Sequence, residues 1–139
     1  MARQSDLVEH LGEVPLFSHC SKRDLQTVAR SLEVLDMQQG ARIVGQGDAG
    51  NAFYVILDGQ VRVDPPKGAS VTLKAGDSFG EMALLDGAPR SADITADGEV
   101  TVMVIGRAAF QKLLRSEPQM VTVLLRTLAS RLRAAQEQF

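Results

Sequence analysis

The sequence predicts a mainly β domain with flanking helices, an α+β fold in which a small barrel or roll occupies the middle of the chain. Short apolar or alternating segments separated by glycine-containing turns fill residues 32–106. Apolar residues at helical spacing dominate residues 1–31 and 107–139. The chain has 139 residues and is 45% hydrophobic, which is typical of one globular domain with a buried core.

Residues 1–31 are expected to form an N-terminal helical segment. The stretch Ser21-Lys22-Arg23-Asp24 resembles a capping box in which Asp stands in place of Glu. Apolar residues follow it at helical spacing, namely Leu25, Val28, Ala29 and Leu32. A helix is therefore predicted to begin just after Ser21.

Residues 32–106 are expected to form the strands of the roll. Phe53–Leu57 is an apolar run typical of a buried strand, and Asp58-Gly59 predicts a tight turn after it. Beyond the alternating residues 61–63, the stretch Pro65–Gly68 predicts a second turn, which leads into the alternating Val71–Leu73. A further alternating segment spans residues 99–105. Its two faces carry Val100, Val102 and Val104 on one side and Thr101 and Met103 on the other.

Residues 107–139 are expected to form C-terminal helices. One short helix is predicted over Ala108–Leu114, and a second begins at Glu117-Pro118, because proline is tolerated in a first helical turn. The second helix carries an apolar stripe of Met120, Leu124, Leu128, Leu132, Ala135 and Phe139, widened by Val121 and Leu125. Two interpretations of this stripe remain open: it packs on the chain's own roll, or it contacts another chain.

Composition excludes several classes of function. The net charge is −2, with 15 basic and 17 acidic residues, so neither a nucleic-acid surface nor an anionic-membrane surface is expected. No apolar run reaches the ~18 residues of a membrane span, and the N-terminus has no signal-peptide segment. Cys20 is the single cysteine, which favours a cytoplasmic protein. His10 and His19 lie far from any acidic cluster, so no metal site is expected.

The stretch FGEMALLDGAPRSA, residues 79–92, combines groups suited to a small phosphorylated ligand. Gly80 lets the backbone approach a ligand closely, and the planar guanidinium of Arg90 suits two phosphate oxygens. Glu81 is an acceptor that suits a hydroxyl, and the first N–H groups of a helical turn at residues 82–85 suit an anion. One phosphate and one hydroxyl at close range describe a ribose cyclic phosphate. No P-loop motif and no dinucleotide-binding motif occurs in the chain.

This stretch closely resembles the phosphate-binding cassette of cyclic nucleotide-binding domains. Phe-Gly-Glu, an aliphatic residue, Ala, Leu, a short turn, Pro-Arg, a small residue and Ala all stand here as in the regulatory subunits of cAMP-dependent protein kinase. Upstream, GQGDAGNAFYVILDGQVRV is similar to the paired strands that precede the cassette in that family. The resemblance extends from about Leu16 to the final helix.

The resemblance implies an eight-stranded β-roll or jelly roll with N-terminal helices, a short cassette helix and a long C-terminal helix, all within one cyclic nucleotide-binding domain. It implies that Glu81 holds the ribose 2′-hydroxyl and that Arg90 pairs with the cyclic phosphate. Gly80 would permit close approach, and Ser91 would place a hydroxyl near the phosphate or the base edge. The N–H groups that complete the phosphate cradle would belong to Met82, Ala83 and Ala92.

The identity of the base is left open between adenine and guanine, and cAMP is expected over cGMP. Val63 is a candidate wall for the base, and similarity to the bacterial catabolite activator adds Arg131, Leu132 and Gln136 of the final helix. The expected function is that of a sensor or regulatory domain, not an enzyme, in which binding rearranges the C-terminal helix. Its expected partners are a second copy or an attached effector domain, with no direct binding of nucleic acid or membrane. A roll-fold scaffold that binds another ligand, or none, is the alternative.

Overall fold

The computed structural model describes residues 4–14, 17–45, 52–80 and 92–136. The chain divides into two units. The β unit is the continuous stretch Leu32–Arg107. The helical unit combines Met1–Ser31 with Ala108–Phe139.

Eight strands of the β unit form two four-stranded antiparallel sheets within the described residues, as the resemblance predicted. Sheet A has the order β1-β8-β3-β6, and sheet B has the order β2-β7-β4-β5. The strands are β1 Glu33–Met37, β2 Arg42–Val44, β3 Ala52–Asp58, β4 Gln60–Asp64, β5 Val71–Lys74, β6 Ser78–Phe79, β7 Asp93–Ala96 and β8 Val100–Gly106. The predicted turn at Pro65–Gly68 joins β4 to its antiparallel partner β5.

The predicted turn at Asp58-Gly59 is present, but it links the two sheets instead of closing a hairpin. β3 lies in sheet A, whereas β4 lies in sheet B. Gly59 has φ of 87°, and an added Cβ would collide with the carbonyl oxygen of Glu99. Because L side chains rarely adopt this conformation and no space remains for one, only glycine suits this corner of the roll.

The interior of the β unit is an apolar cluster with side chains from both sheets. Its buried members are Val44, Ile56, Val61, Phe79, Ile94, Ala96, Val100 and Val102. Val104 packs against the same cluster as Val100 and Val102, so the face of β8 that these three residues were predicted to share is confirmed. The opposite face of β8 is buried as well, since Met103 and Ile105 are each only 1% exposed. β3 is similar, since Phe53 and Val55 are buried as well as Ile56, so both central strands of sheet A carry buried apolar residues on two faces.

The helical unit contains α1 Gln4–Glu13, α2 Lys22–Arg30, α3 Arg107–Ser116 and α4 Pro118–Gln136. The predicted capping box is confirmed: the Asp24 N–H donates to Ser21 Oγ at 3.1 Å, and the Ser21 N–H donates to Asp24 Oδ2 at 3.3 Å. α3 extends beyond the predicted Ala108–Leu114 at both ends. α4 begins at Pro118, as expected. Among the described residues, no helix combines the length and the apolar character needed to cross a membrane.

Two polar side chains are buried in the helical unit. Asp24 is 4% exposed, and its Oδ1 accepts a hydrogen bond from Gln119 Nε2 of α4 at 3.2 Å. Gln119 Nε2 also donates to Glu117 Oε2 at 2.7 Å. Thr127 is 2% exposed, and its hydroxyl donates to the Val123 carbonyl oxygen. A buried carboxylate thus joins the first turn of α2 to the first turn of α4.

The apolar stripe of α4 is divided between two faces of the helix. Met120 and Leu124 are buried, at 0% and 3% exposed. Leu125 and Leu132 are 61% and 60% exposed, and Val121 is 40% exposed. Val121, Leu125 and Leu132 are spaced four and seven residues apart, which is close to one and two turns of an α-helix. They therefore form a second apolar face, which is open to solvent.

Candidate ligand-binding site

The predicted cassette connects β6 of sheet A to β7 of sheet B. Residues 81–91 lie outside the described residues, and so do the predicted cassette helix and the binding residues Glu81, Met82, Ala83, Arg90 and Ser91. The roles assigned to them remain predictions. Gly80 and Ala92, at the two ends of this stretch, are described.

The entrance to the cassette is held by an aromatic pair. Phe79 pairs across the strands with Tyr54, and the two rings stack with centroids 4.8 Å apart and planes 13° apart. Phe79 is also part of the roll interior. Gly80 follows with φ of 96°, a conformation that L side chains rarely adopt. The backbone therefore leaves β6 through a conformation that favours glycine at residue 80. The residue before it, Phe79, is fixed by its stacking on Tyr54.

The exit from the cassette lies beside β4. Ala92 is half-buried and leads directly into β7, where Ile94 is the register partner of Val63. Val63 is itself half-buried and packs against the roll interior. The predicted base-wall residue is thus held on the strand that borders the end of the cassette. Its contact with a base remains a prediction.

A charged group of β4 lies next to this exit. Asp64 is the register partner of Asp93, the residue after Ala92. The Arg62 Nε is 3.0 Å from Asp64 Oδ2, and the Ser70 hydroxyl donates to Asp64 Oδ1. The hydrogen bond from Ser70, followed by that from Arg62, lowers the pKa of the Asp64 carboxyl. Arg62 therefore forms a salt bridge with a carboxylate of the same strand. Its replacement can serve as a control for the replacement of Arg90.

The structure does not bring the remaining predicted base contacts into one described site. Arg131, Leu132 and Gln136 all lie in the C-terminal part of α4, within the helical unit. The side chains of Arg131 and Gln136 lie outside the described residues, while Leu132 is exposed. The Tyr54–Phe79 stack was not predicted. The sequence shows an aromatic residue in each of the two segments, Tyr54 and Phe79. It does not show that β3 and β6 are neighbours, which is what brings the two rings together.

Comparison with known proteins agrees with this architecture. The family model of the cyclic nucleotide-binding domain matches residues 34–117. A cAMP-dependent protein kinase regulatory subunit from Yarrowia lipolytica is 37% identical over 106 residues, which cover 75% of this chain and 28% of that protein. The N-terminal domain of a transcriptional regulator from Streptomyces coelicolor superposes with a TM-score of 0.82 at 28% identity, over 93% of this chain and 94% of that one.

A third similar structure is the regulatory domain of Toxoplasma gondii PKA crystallised with cAMP. It has a TM-score of 0.76 and 31% identity, over 93% of this chain and 50% of that one. The matching segment spans only about a quarter of the length of the kinase regulatory subunits. The chain belongs to the cyclic nucleotide-binding domain family, and its matched relatives include regulatory subunits of cAMP-dependent protein kinase.

Proposed function

We propose that this chain is a cAMP-binding sensor domain that regulates an effector and has no catalytic activity of its own. The observation that supports it most strongly is the family match over residues 34–117, which includes the whole cassette stretch. Several of the matched relatives are regulatory subunits, a non-catalytic role. The three sequence segments, residues 1–31, 32–106 and 107–139, act together as one nucleotide-binding domain in the cytoplasm.

In this proposal different cassette residues bind the phosphate and the ribose of the ligand. Arg90 binds the cyclic phosphate through its planar guanidinium, and the N–H groups of Met82, Ala83 and Ala92 complete the phosphate cradle. Glu81 accepts a hydrogen bond from the ribose 2′-hydroxyl, and Ser91 lies near the phosphate or the base edge. The positive φ of Gly80 supports this arrangement, because it turns the backbone at the place where the cradle begins.

We infer adenine as the base. The Toxoplasma gondii relative was crystallised with cAMP, and the matched regulatory subunits are named for cAMP-dependent kinases. Val63 forms a wall of the base site from β4, and α4 supplies contacts from Arg131, Leu132 and Gln136. The exposed face of α4, with Leu125 and Leu132 open to solvent, supports a helix that can still gain apolar contacts.

Ligand binding would then act through α4. A nucleotide shifts a helix between two positions only by its difference in affinity for them. We propose that α4 contacts the base in one position and that, in the other, its exposed face packs against a second copy or an attached effector domain. The effector is a protein element, and neither nucleic acid nor membrane is contacted by this chain.

Calorimetric titration of the intact chain with cAMP and cGMP tests the proposal directly. Arg90→Ala should weaken cAMP binding by about 2–5 kcal/mol, which is roughly 30-fold to several thousand-fold, because it removes one member of a charge pair. Arg62→Ala is the matched control, since Arg62 is engaged by Asp64, and it should leave the affinity nearly unchanged. Equal affinities of the two variants would refute the cassette assignment. Tighter binding of cGMP than of cAMP would refute the choice of base alone.

The ribose contact has its own test. Wild-type chain should bind 2′-deoxy cAMP much more weakly than cAMP, because Glu81 would lose the hydroxyl that it accepts from. In Glu81→Ala this preference should nearly disappear. A variant that still distinguishes the two ligands as strongly as wild type would assign Glu81 a purely structural role.

A further inference from the structure

An open groove of about 830 Å³ lies between α1 and α2. Val8 and Gly12 of α1 and Leu25 of α2 give it an apolar lining, and Lys22, Gln26 and Arg30 form one wall. Its volume falls within the range of roughly 300–1,000 Å³ that is typical of ligand-sized sites. No described residue of the cassette lines it, so it is a separate feature of the helical unit.

Gly12 keeps this groove open. Glycine is a poor helix former, yet Gly12 lies inside α1 and does not adopt the positive φ of a left-handed helix cap. A Cβ at this position would lie 3.4 Å from Leu25 Cδ1, an ordinary contact distance. Neither the backbone conformation nor the packing of α1 on α2 therefore requires a glycine. At Gly12 the groove is lined by bare backbone beside Leu25, which is itself 7% exposed.

The charges along the groove are unevenly distributed. Lys22, Gln26 and Arg30 recur every four residues and lie along one side of α2, which separates the two cations by roughly 12 Å. Neither cation forms a salt bridge with any residue in the part of the chain that the structure describes. Among the described side chains, α1 contributes one acid to the lining, Glu9. An occupant with acidic groups on the α2 side would satisfy both cations.

We propose that this groove binds an amphipathic α-helix of a partner protein. Its apolar ridge would lie on Val8 and Leu25, above the bare backbone of Gly12. Two acidic side chains about two helical turns apart would face Lys22 and Arg30, because residues seven or eight apart on a helix are separated by about 10–12 Å. A third helix packed between two others is a common mode of peptide recognition, with the apolar ridge supplying affinity and the charges supplying orientation.

Two synthetic 18-residue helical peptides test this proposal against the intact chain by NMR titration. One peptide has leucines along a single face, flanked on one side by glutamates spaced seven residues apart. Its twin has lysines in place of those glutamates. The glutamate peptide should bind with shifts centred on α1 and α2, whereas the lysine twin should bind at least about tenfold more weakly. Failure of the glutamate peptide to bind, or equal binding of the two peptides, would overturn the proposal.

Variants separate the charge from the shape of the groove. Gly12→Leu should abolish peptide binding by filling the groove, and Lys22→Glu with Arg30→Glu should weaken it roughly tenfold or more. The matched control is Lys67→Glu with Lys74→Glu, two exposed lysines of the β unit, which should leave it unchanged. If Gly12→Leu fails to fold, the double charge reversal on the helix surface still decides. Self-association of the wild-type chain that Gly12→Leu removes would assign the groove to a second copy and overturn the partner helix.

Discussion

The two units have differently constructed interiors. The roll interior is an apolar cluster from two sheets, with Ile56, Val61 and Val102 fully buried. In the described residues, both buried polar side chains, Asp24 and Thr127, belong to the helical unit. Apolar burial is not directional, whereas a buried carboxylate depends on particular donors. Gln119 has a second acceptor in Glu117, so its bond to Asp24 can be exchanged locally. Within the described residues, the helical unit therefore has a buried polar contact between helices that the roll interior lacks.

The largest expected effect is in the roll. Ile56→Ala removes a fully buried side chain and should lower the free energy of unfolding by about 2–5 kcal/mol. Val71→Ala is the control, since Val71 is 53% exposed and should change it by less than about 0.5 kcal/mol. Urea unfolding measures both, and hydrogen exchange shows which amides respond. Equal loss of protection in both units would mean that they unfold as one, and the contrast between them would be wrong.

Removal of the buried carboxylate should have the next largest effect. Asp24→Ala removes half of a capping box and the acceptor of Gln119, so a loss of about 1–3 kcal/mol is expected. Gln119→Ala leaves the cap intact and removes the bond between α2 and α4 together with the local bond to Glu117, so it should cost about 0.5–1.5 kcal/mol. The difference in urea midpoints isolates the cap. If Gln119→Ala proves as damaging as Asp24→Ala, the carboxylate acts mainly between helices.

Glycine replacements should have opposite signs in the two units. Gly12→Ala should raise the free energy of unfolding by about 0.4–1 kcal/mol, because alanine restricts the unfolded chain and its Cβ makes an ordinary contact with Leu25. Gly59→Ala should lower it, since the position has positive φ and the Cβ meets the Glu99 carbonyl. Thermal unfolding measures both changes. A destabilised Gly12→Ala would show that the groove cannot accept even a methyl group.

An effect on stability that is confined to alkaline pH concerns Cys20. Burial, and secondarily the charge of Asp24, raises the pKa of its thiol from 9.0 to about 11. The folded state thus holds the proton more tightly than the unfolded chain. This contribution to stability is complete below about pH 9 and is lost as the pH rises through about 11.

The same shift is visible as thiol reactivity. At pH 8 the folded chain should react with a disulfide reagent at least about tenfold more slowly than the chain in urea, because its thiolate fraction is lower and a more basic thiolate offsets only part of that loss. Asp24→Ala should recover part of the rate. If the folded chain reacts as fast as the unfolded one, the Cys20 thiol is more exposed to solvent than in this structure.

Local signals in the sequence predicted much of the fold. The Ser21–Asp24 capping box and the shared face of Val100, Val102 and Val104 in β8 depend on near neighbours in sequence, and both are confirmed. The short strands β2 and β6 have too few residues to show an alternating period, so they went unpredicted. The hydrogen bond of Gln119 to Asp24 joins residues that are 95 positions apart. No local pattern encodes such a contact.

The candidate site also has features that local sequence encodes and features that depend on distant parts of the chain. Phe79, the first residue of the cassette stretch, is only 6% exposed and belongs to the roll interior. That the cassette bridges the two sheets follows from strand order, which a single sequence shows only through a family resemblance. The assignments of Glu81 and Arg90 remain predictions, and they depend on motif chemistry that the ligand titrations test.

The order of the units along the chain has a mechanical consequence. The β unit is a continuous stretch between α2 and α3, so tension applied at residues 4 and 136 acts on helices first. It then enters the roll through β1 and leaves through β8, which are antiparallel neighbours with Glu33 opposite Val104. Force at that end separates the two strands one hydrogen-bonded pair at a time, from Glu33 toward Met37, instead of shearing all pairs together. Such peeling needs little force, so a pull transmitted by neighbouring segments would open the roll from this edge.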